Sequence, residues 1–278
     1  MTTLVIDGDI LVHLACRYDR WQTKCKKEGK YLLVNLNEEG TKEHLEYTKR
    51  EDEKYMRESW ENFEKLVNTL VDELWAIGYF MAVKGEGNFR HDLYSEYKAN
   101  RARQKEKRPD NRSKFVNAIT KLAVLNGYAT PADGMEADDL VRIKAEELRE
   151  SGEDFTIVTI DKDLRCIPGK FYDPKKKEHF EISEEEATKF YYEQLLSGDS
   201  SDNIPGVPGV GPINAQKMLA GINSEEEYQE IVVSNYLAAY EDDWEVMLEL
   251  NGKLLYILKS IDDSFSMADW PIVKELKE

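Results

Sequence analysis

Apolar positions along this chain follow two rhythms, and their alternation predicts the order of elements. Thr3–Ile6 reads as a short buried strand, and Ile10–Tyr18 as the start of a helix. Residues 22–54 are polar and charge-dense, with one hairpin-like stretch, YLLVNL (31–36), followed by a long helix. Trp60, Phe63, Val67, Leu70 and Leu74 recur at spacings of three and four, an amphipathic helix that stops near Gly78. Tyr79–Val83 predicts a second buried strand. Phe115, Ile119, Leu122 and Ala123 mark a further helix running into a strand-like GYAT (127–130). A helix over 136–150 follows the turn PADG (131–134) and ends at Ser151-Gly152, and Phe155–Ile160 is a third strand. Strands alternating with helices predict an α/β fold, a mainly parallel central sheet flanked by helices. Beyond about residue 185 the pattern turns helical, broken by the loop IPGVPGVGP (204–212). Trp244, Met247, Leu248, Leu254, Leu255 and Leu258 are the candidate packing residues of the last segment. The expected division is an α/β core over 1–185 and a helical region over 186–278.

Composition narrows the class. Of 278 residues, 41% are hydrophobic and 33% charged, enough for a sizeable core and typical of a soluble protein. No apolar run approaches the roughly 18 residues of a membrane span, and no secretory signal is expected from an N-terminus that opens on LVID. Cys16, Cys25 and Cys166 are odd in number and lack CxxC spacing, so they read as reduced thiols of a cytoplasmic protein. The net charge of −17 argues at first against a nucleic-acid partner. Its distribution changes that picture. Between Lys98 and Lys114 stand eight bases against only Glu106 and Asp110. That segment breaks at Pro109-Asp110 into two helical arms. It is either a solvated helix face or a local polyanion contact.

Carboxylates carry the candidate chemistry. They cluster in VIDGD (5–9), GMEADDL (134–140), TIDKD (159–163) and GDSSD (198–202). Asp7, Asp161 and Asp163 fall at predicted strand C-termini, the edge where open parallel sheets bind ligands. Asp161 and Asp163 face one side if the chain there is extended. Glu136 and Asp139 share a helical face with Asp138 adjacent, in a first turn whose dipole favours anions, and Asp199 and Asp202 have similar spacing. Taken singly, each is as readily a turn or cap residue, and Asp9 is left to that reading. Jointly they repel: two like charges about 4 Å apart cost roughly 4 kcal/mol at an effective dielectric near 20. A fold that gathers such hard oxygen ligands calls for Mg²⁺ or Mn²⁺.

VIDGD (5–9), NFRHDLYSEYKANR (88–101), GMEADDLV (134–141), TIDKDL (159–164) and GDSSDNIPGVPGVGPINA (198–215), in that order, resemble the motifs of the 5′-nuclease family. That family comprises flap endonucleases, phage 5′–3′ exonucleases and the 5′-nuclease domain of DNA polymerase I. The layout is most similar to phage replication exonucleases. The resemblance implies a PIN-like nuclease core, a basic helical arch over about 90–125, and a C-terminal helix–hairpin–helix element over 198–220. It implies two metal sites: Asp7, Glu136, Asp138 and Asp139 at the first, Asp163, Asp199 and Asp202 at the second, with Asp161 between them. Lys98, Arg101 and Arg90 become catalytic cations at the phosphate. Arg103, Lys105, Lys107 and Arg108 become arch contacts. Tyr97 either stacks on an unpaired base or packs internally. Gly206, Val207, Gly209, Val210, Gly211 and Lys217 form a duplex-binding loop, with a monovalent cation there; a plain interhelical turn is the bland alternative.

One departure stands out. The family carries an acid after the second strand, where this chain reads AVKGEGNFR (82–90), with Lys84 or Gly85 at that place and Glu86 the nearest substitute ligand. The implied function is metal-dependent 5′–3′ exonuclease and 5′-flap endonuclease activity on DNA and RNA–DNA hybrids. Its setting is primer removal in phage DNA replication, by a cytoplasmic (host-cytoplasmic) monomer with no membrane partner. The alternatives are a non-catalytic or impaired DNA-binding homologue, for which Lys84 speaks, and a PIN-like single-strand ribonuclease.

Overall fold

Strand β1 (Thr3–Asp7) is buried on both faces, with Leu4 and Ile6 in one core and Val5 in the other. Hence the unbroken apolar run Leu4–Ile6 at its centre: a central parallel strand has no solvent side. The computed structural model describes the backbone of residues 2–16, 25–27, 30–36, 42–46, 49–101 and 112–278 and the side chains of 2–16, 53–101 and 114–278.

Helix α1 (Gly8–Ala15) follows β1 directly. Strands β2 (Cys25–Lys27), β3 (Lys30–Leu36) and β4 (Lys42–Glu46) form a small antiparallel sheet around the expected hairpin, and α2 (Lys49–Glu73) is the long helix after it. Then come β5 (Gly78–Lys84), α3 (Phe89–Leu93) and α4 (Arg112–Leu125). Next are β6 (Thr130–Ala132), α5 (Ala137–Glu150) and β7 (Phe155–Val158), with a 3-10 turn at Asp163–Cys166. Strands β8 (Gly169–Asp173) and β9 (Glu178–Ile182) form a hairpin that helical periodicity did not suggest. Its signal is the alternation in KFYD and EHFEI around a Pro-containing turn.

The main sheet runs β6-β5-β1-β7-β8-β9, parallel except for the β8–β9 pair. Pro131 is tolerated because β6 is an edge strand. On one face α1, α2 and α4 bury Leu11, Phe63, Val67 and Ile119; on the other, α5 buries Val141, Ala145 and Leu148. This is the expected α/β fold, a mostly parallel sheet flanked by helices. The chain builds outward through β5 and β6, then returns to β7 on the opposite side of β1. The switch point between β1 and β7 opens a crevice at their C-terminal ends.

After β9 come α6 (Glu184–Ser197), α7 (Pro212–Met218), α8 (Glu225–Tyr240), α9 (Trp244–Leu255) and α10 (Pro271–Lys277). They share an aromatic-rich core with Tyr192, Tyr236, Trp244, Leu248 and Trp270. Cys16 and Cys166 are both buried, and neither forms a disulfide. Among the described residues no helix is long and apolar enough to cross a membrane.

Candidate active site

Asp7 ends β1 with only 4% of its surface exposed, and Thr159 explains how it is held. The Thr159 hydroxyl donates to Asp7 Oδ2 at 3.0 Å and accepts the Asp161 N–H at 2.9 Å. One side chain thus ties two of the acidic clusters across the switch point. The expected extended path through 161–163 is not found, because β7 stops at Val158. Asp161 Oδ1 instead accepts the Asp163 N–H at 2.9 Å, an Asx turn that starts the 3-10 helix. Gln194, from α6, donates to Asp163 Oδ1 at 3.1 Å. Asp199 takes the Ser201 N–H at 2.7 Å, and paired bonds between Asp199 and Ile204 (2.9 and 2.8 Å) close the loop that carries Asp202. Glu136, Asp138, Asp163, Asp199 and Asp202 line a crevice of about 40 Å³.

The electrostatics group these acids as their positions do. Burial first, and then Asp9 and Asp161, push the Asp7 carboxyl up to about 7. Asp138 is raised by burial and by Asp7 and Asp161. Asp163 is pushed up to about 6 by burial, Asp161 and Asp199. Burial raises Asp202 too, against Lys98 and Arg101. Glu136 goes the other way: burial opposes its charge, but Lys98 and Arg90 outweigh it and hold the carboxyl low. Asp199 is also held low, burial being overcome by hydrogen bonds from Ser201.

Lys98 pairs with Glu136 and lies 3.5 Å from Asp202, and Arg101 pairs with Asp202. Both expected cations therefore reach the crevice. Asn88 steadies Glu136 with a 2.9 Å bond to Oε1. Asp9 is not a cap. It takes the Lys84 N–H at 3.0 Å, tying α1 to the end of β5 beside Asp7.

Several expected roles are corrected. Arg90 is 2% exposed. It makes a two-pronged bond to Asp139 (2.6 and 2.8 Å) and donates to the Leu254 and Tyr256 carbonyls at 3.0 and 2.6 Å. Four of its five N–H donors are engaged in these bonds, so in this structure it clamps the C-terminal segment from the wall of the crevice and is not a free cation. Asp139 also accepts the N–H groups of Glu136 and Leu258. Its lone pairs are occupied, which removes it from the ligand set. Tyr97 is 3% exposed and donates to Glu136 at 3.1 Å, so packing and not base stacking is its role. Glu86 is exposed and held by its backbone, to Asp133 and Gly134, and it is not among the leading charges felt by Asp7, Glu136 or Asp138. A Cβ on Gly85 would stand 2.4 Å from the Ala132 carbonyl carbon, so no acid could occupy that place.

In the glycine-rich loop, Gly206 (φ +60°) packs against Gly198, where a Cβ would meet the Gly198 nitrogen at 2.2 Å. Val207 is buried and its N–H bonds the Leu196 carbonyl at 2.8 Å. Those two build the loop. Val210 is half-buried, and Gly209, Gly211 and Lys217 are exposed. Arg103, Lys105, Lys107 and Arg108, and with them the centre of the arch, lie outside the described residues.

Among the described residues no three His, Cys, Asp or Glu side chains already form a closed metal cage. The donor chemistry nevertheless fits a hard divalent cation. The crevice acids are carboxylates throughout, and Asp7, Asp138 and Asp163 are raised by burial and mutual repulsion that such a cation relieves.

Comparison with known proteins agrees with this architecture. Residues 46–191 match the family described as 5′–3′ exonuclease, N-terminal resolvase-like domain. The chain is 30% identical over 202 residues to the flap endonuclease Xni of Pectobacterium atrosepticum, covering 67% of this chain and 72% of that protein. It is 33% identical over 152 residues to DNA polymerase I of Rhizobium leguminosarum, covering 51% of this chain but only 14% of the polymerase. The fold is that of the T5 D15 protein co-crystallised with metal ions (TM-score 0.55, 14% identity, 92% of this chain and 97% of that one). It is also that of T5 5′-exonuclease with bound zinc (TM-score 0.52, 16% identity, 70% and 88%). A sheet whose switch point gathers Asp7, Asp138 and Asp161, taken with these matches, makes the chain a member of the 5′–3′ exonuclease family.

Proposed function

We propose that this chain is a divalent-metal-dependent 5′–3′ exonuclease and 5′-flap endonuclease acting on DNA. The observation that carries the reading is the crevice at the β1/β7 switch point, where carboxylates from three remote segments, with Asp7 of β1 close enough to raise Asp138, meet the cations Lys98 and Arg101. Asp7, Glu136, Asp138 and Asp161 would hold one Mg²⁺ or Mn²⁺, and Asp163, Asp199 and Asp202 a second near Asp161. Such ions supply charge neutralisation at the scissile phosphodiester and a water of lowered pKa.

The chain's own residues do the rest. Thr159 and Gln194 aim Asp7 and Asp163. Lys98 and Arg101 offer positive charge at the crevice mouth, where a phosphate would develop negative charge in the transition state. Exposed Gly209, Gly211 and Lys217 form a backbone-contacting patch for duplex, with the monovalent cation of the resemblance belonging there. RNA–DNA hybrids, primer removal in phage replication, a monomeric state and a cytoplasmic setting complete the reading.

The test is cleavage of a 5′-labelled flap, a nicked duplex and single-stranded RNA, with Mg²⁺, with chelator and in Asp161→Asn. Metal-dependent flap cutting that is lost in the variant is the expected result. Cutting of single-stranded RNA alone, or binding without cutting, overturns the reading.

A further inference from the structure

Two turns carrying crevice residues are sewn together by asparagines that the catalytic reading leaves without a role. The Lys98 N–H donates to the Asp202 carbonyl at 2.9 Å. Asn203 Nδ2 donates to the Glu96 carbonyl at 3.0 Å. Asn100 Nδ2 donates to Asn203 Oδ1 at 3.2 Å and to the Ser200 carbonyl at 3.3 Å. The seam thus joins the Glu96–Arg101 turn, which presents Lys98 and Arg101, to the Ser200–Asn203 turn, which presents Asp202.

Backbone conformation points to the same place. Lys98 has φ +57° and Asn203 has φ +63°, both in the left-handed region. Asparagine tolerates that region, whereas lysine is poorly suited to it and adopts it only where neighbours enforce it. The enforcing contacts are the N–H bond of Lys98 itself and the Asn203 amide, which reaches two residues upstream of Lys98. The conformation directs the ammonium between Glu136 and Asp202.

We propose that Asn203 is a positioning residue for Lys98: its amide fixes the strained turn that holds the ammonium over the crevice. The inference deepens the nuclease reading and rests on it for its kinetic consequence. Asn203 itself touches no crevice carboxylate by its side chain among its recorded bonds, so its effect must pass through the turn.

The test variant is Asn203→Gly, because glycine accepts φ +63° and only the amide is lost. In single-turnover cleavage of a 5′ flap at saturating Mg²⁺, the rate is expected to fall about 10- to 100-fold, the usual penalty for a misplaced catalytic group. Flap affinity measured in chelator is expected to change less than about twofold, separating the chemical step from binding. Combined with Lys98→Ala, Asn203→Gly is expected to add little, because both act through one group. Unchanged cleavage, a loss confined to affinity, or full additivity with Lys98→Ala overturns the proposal. Hydrogen exchange at the Lys98 amide provides an arm independent of activity. Faster exchange in Asn203→Gly is expected, and unchanged exchange overturns the seam. Should the wild type cleave no flap at all, the nuclease reading fails and the exchange arm alone decides the positioning role.

Discussion

Lys84 stands at the end of β5, beside acids that already repel one another. Its backbone N–H holds Asp9, and its charge is one of those that restrain the rise of the Asp9 carboxyl. The side chain is exposed, so it can be exchanged without rebuilding the core. Replacing it by aspartate removes a cation and adds a ligand. Lys84→Asp is expected to tighten Mg²⁺ binding by about tenfold, given roughly 1 kcal/mol per charge contact in water and some screening. Calorimetric Mg²⁺ titration of the DNA-free protein checks this, and unchanged affinity would show that Lys84 does not weaken the first site. Lys98 shows the opposite use of a cation: it lies against Glu136 and Asp202, and 5.0 Å from the Tyr97 ring, where it offsets acidic charge directly.

At the scale of elements, the decisive contact is the buried pair between α3 and α5. Arg90 and Asp139 are 2% and 0% exposed, and their bonds reach the backbone of residues 254–258. Arg142 adds a 3.0 Å bond to the Ile257 carbonyl. Asp139 also caps the N-terminus of α5 through the Glu136 N–H, so the clamp fixes the orientation of Glu136 and Asp138. Arg90→Ala leaves Asp139 charged and unpaired in the interior, at an expected cost of about 3–5 kcal/mol. Arg90→Lys keeps the charge but loses the planar fork, and is expected to fall between. Urea unfolding measures both; a phosphate-binding Arg90 would leave stability unchanged.

Across the whole molecule, the gathered acids set a pH dependence of opposite sign to that of ordinary paired carboxylates. Asp7 and Asp163 are raised from 3.8 to about 7 and about 6. Between those values and 3.8 the folded state binds protons that the unfolded state has released, so stability falls as pH rises through this window. Glu136 and Asp199, which are held low, contribute stability already complete above their unfolded values of 4.5 and 3.8. The chelated protein is therefore expected to lose melting temperature between about pH 4 and pH 7. Added Mg²⁺ should restore most at the upper end, since binding to the folded state stabilises by mass action. A flat profile in thermal scans would contradict the coupling of these acids.

Periodicity alone determined that strands β1, β5 and β7 alternate with helices, because burial on both faces leaves an apolar run at Leu4–Ile6 and a fully buried run, broken only by Thr156, at Phe155–Val158. Clustering and motif order singled out the candidate carboxylates, and the fold brings Asp7, Glu136, Asp138, Asp161, Asp163, Asp199 and Asp202 near one another at one end of the sheet. The tertiary structure decided which of the motif's charged residues remain available. Arg90 and Asp139 neutralise each other because α3 meets α5 in a dry interface, a contact 49 residues apart in the chain. Thr159, Gln194 and Asn203 were illegible for a similar reason. A single hydroxyl or amide has no periodicity, and its purpose is set by the partner that folding places about 3 Å away.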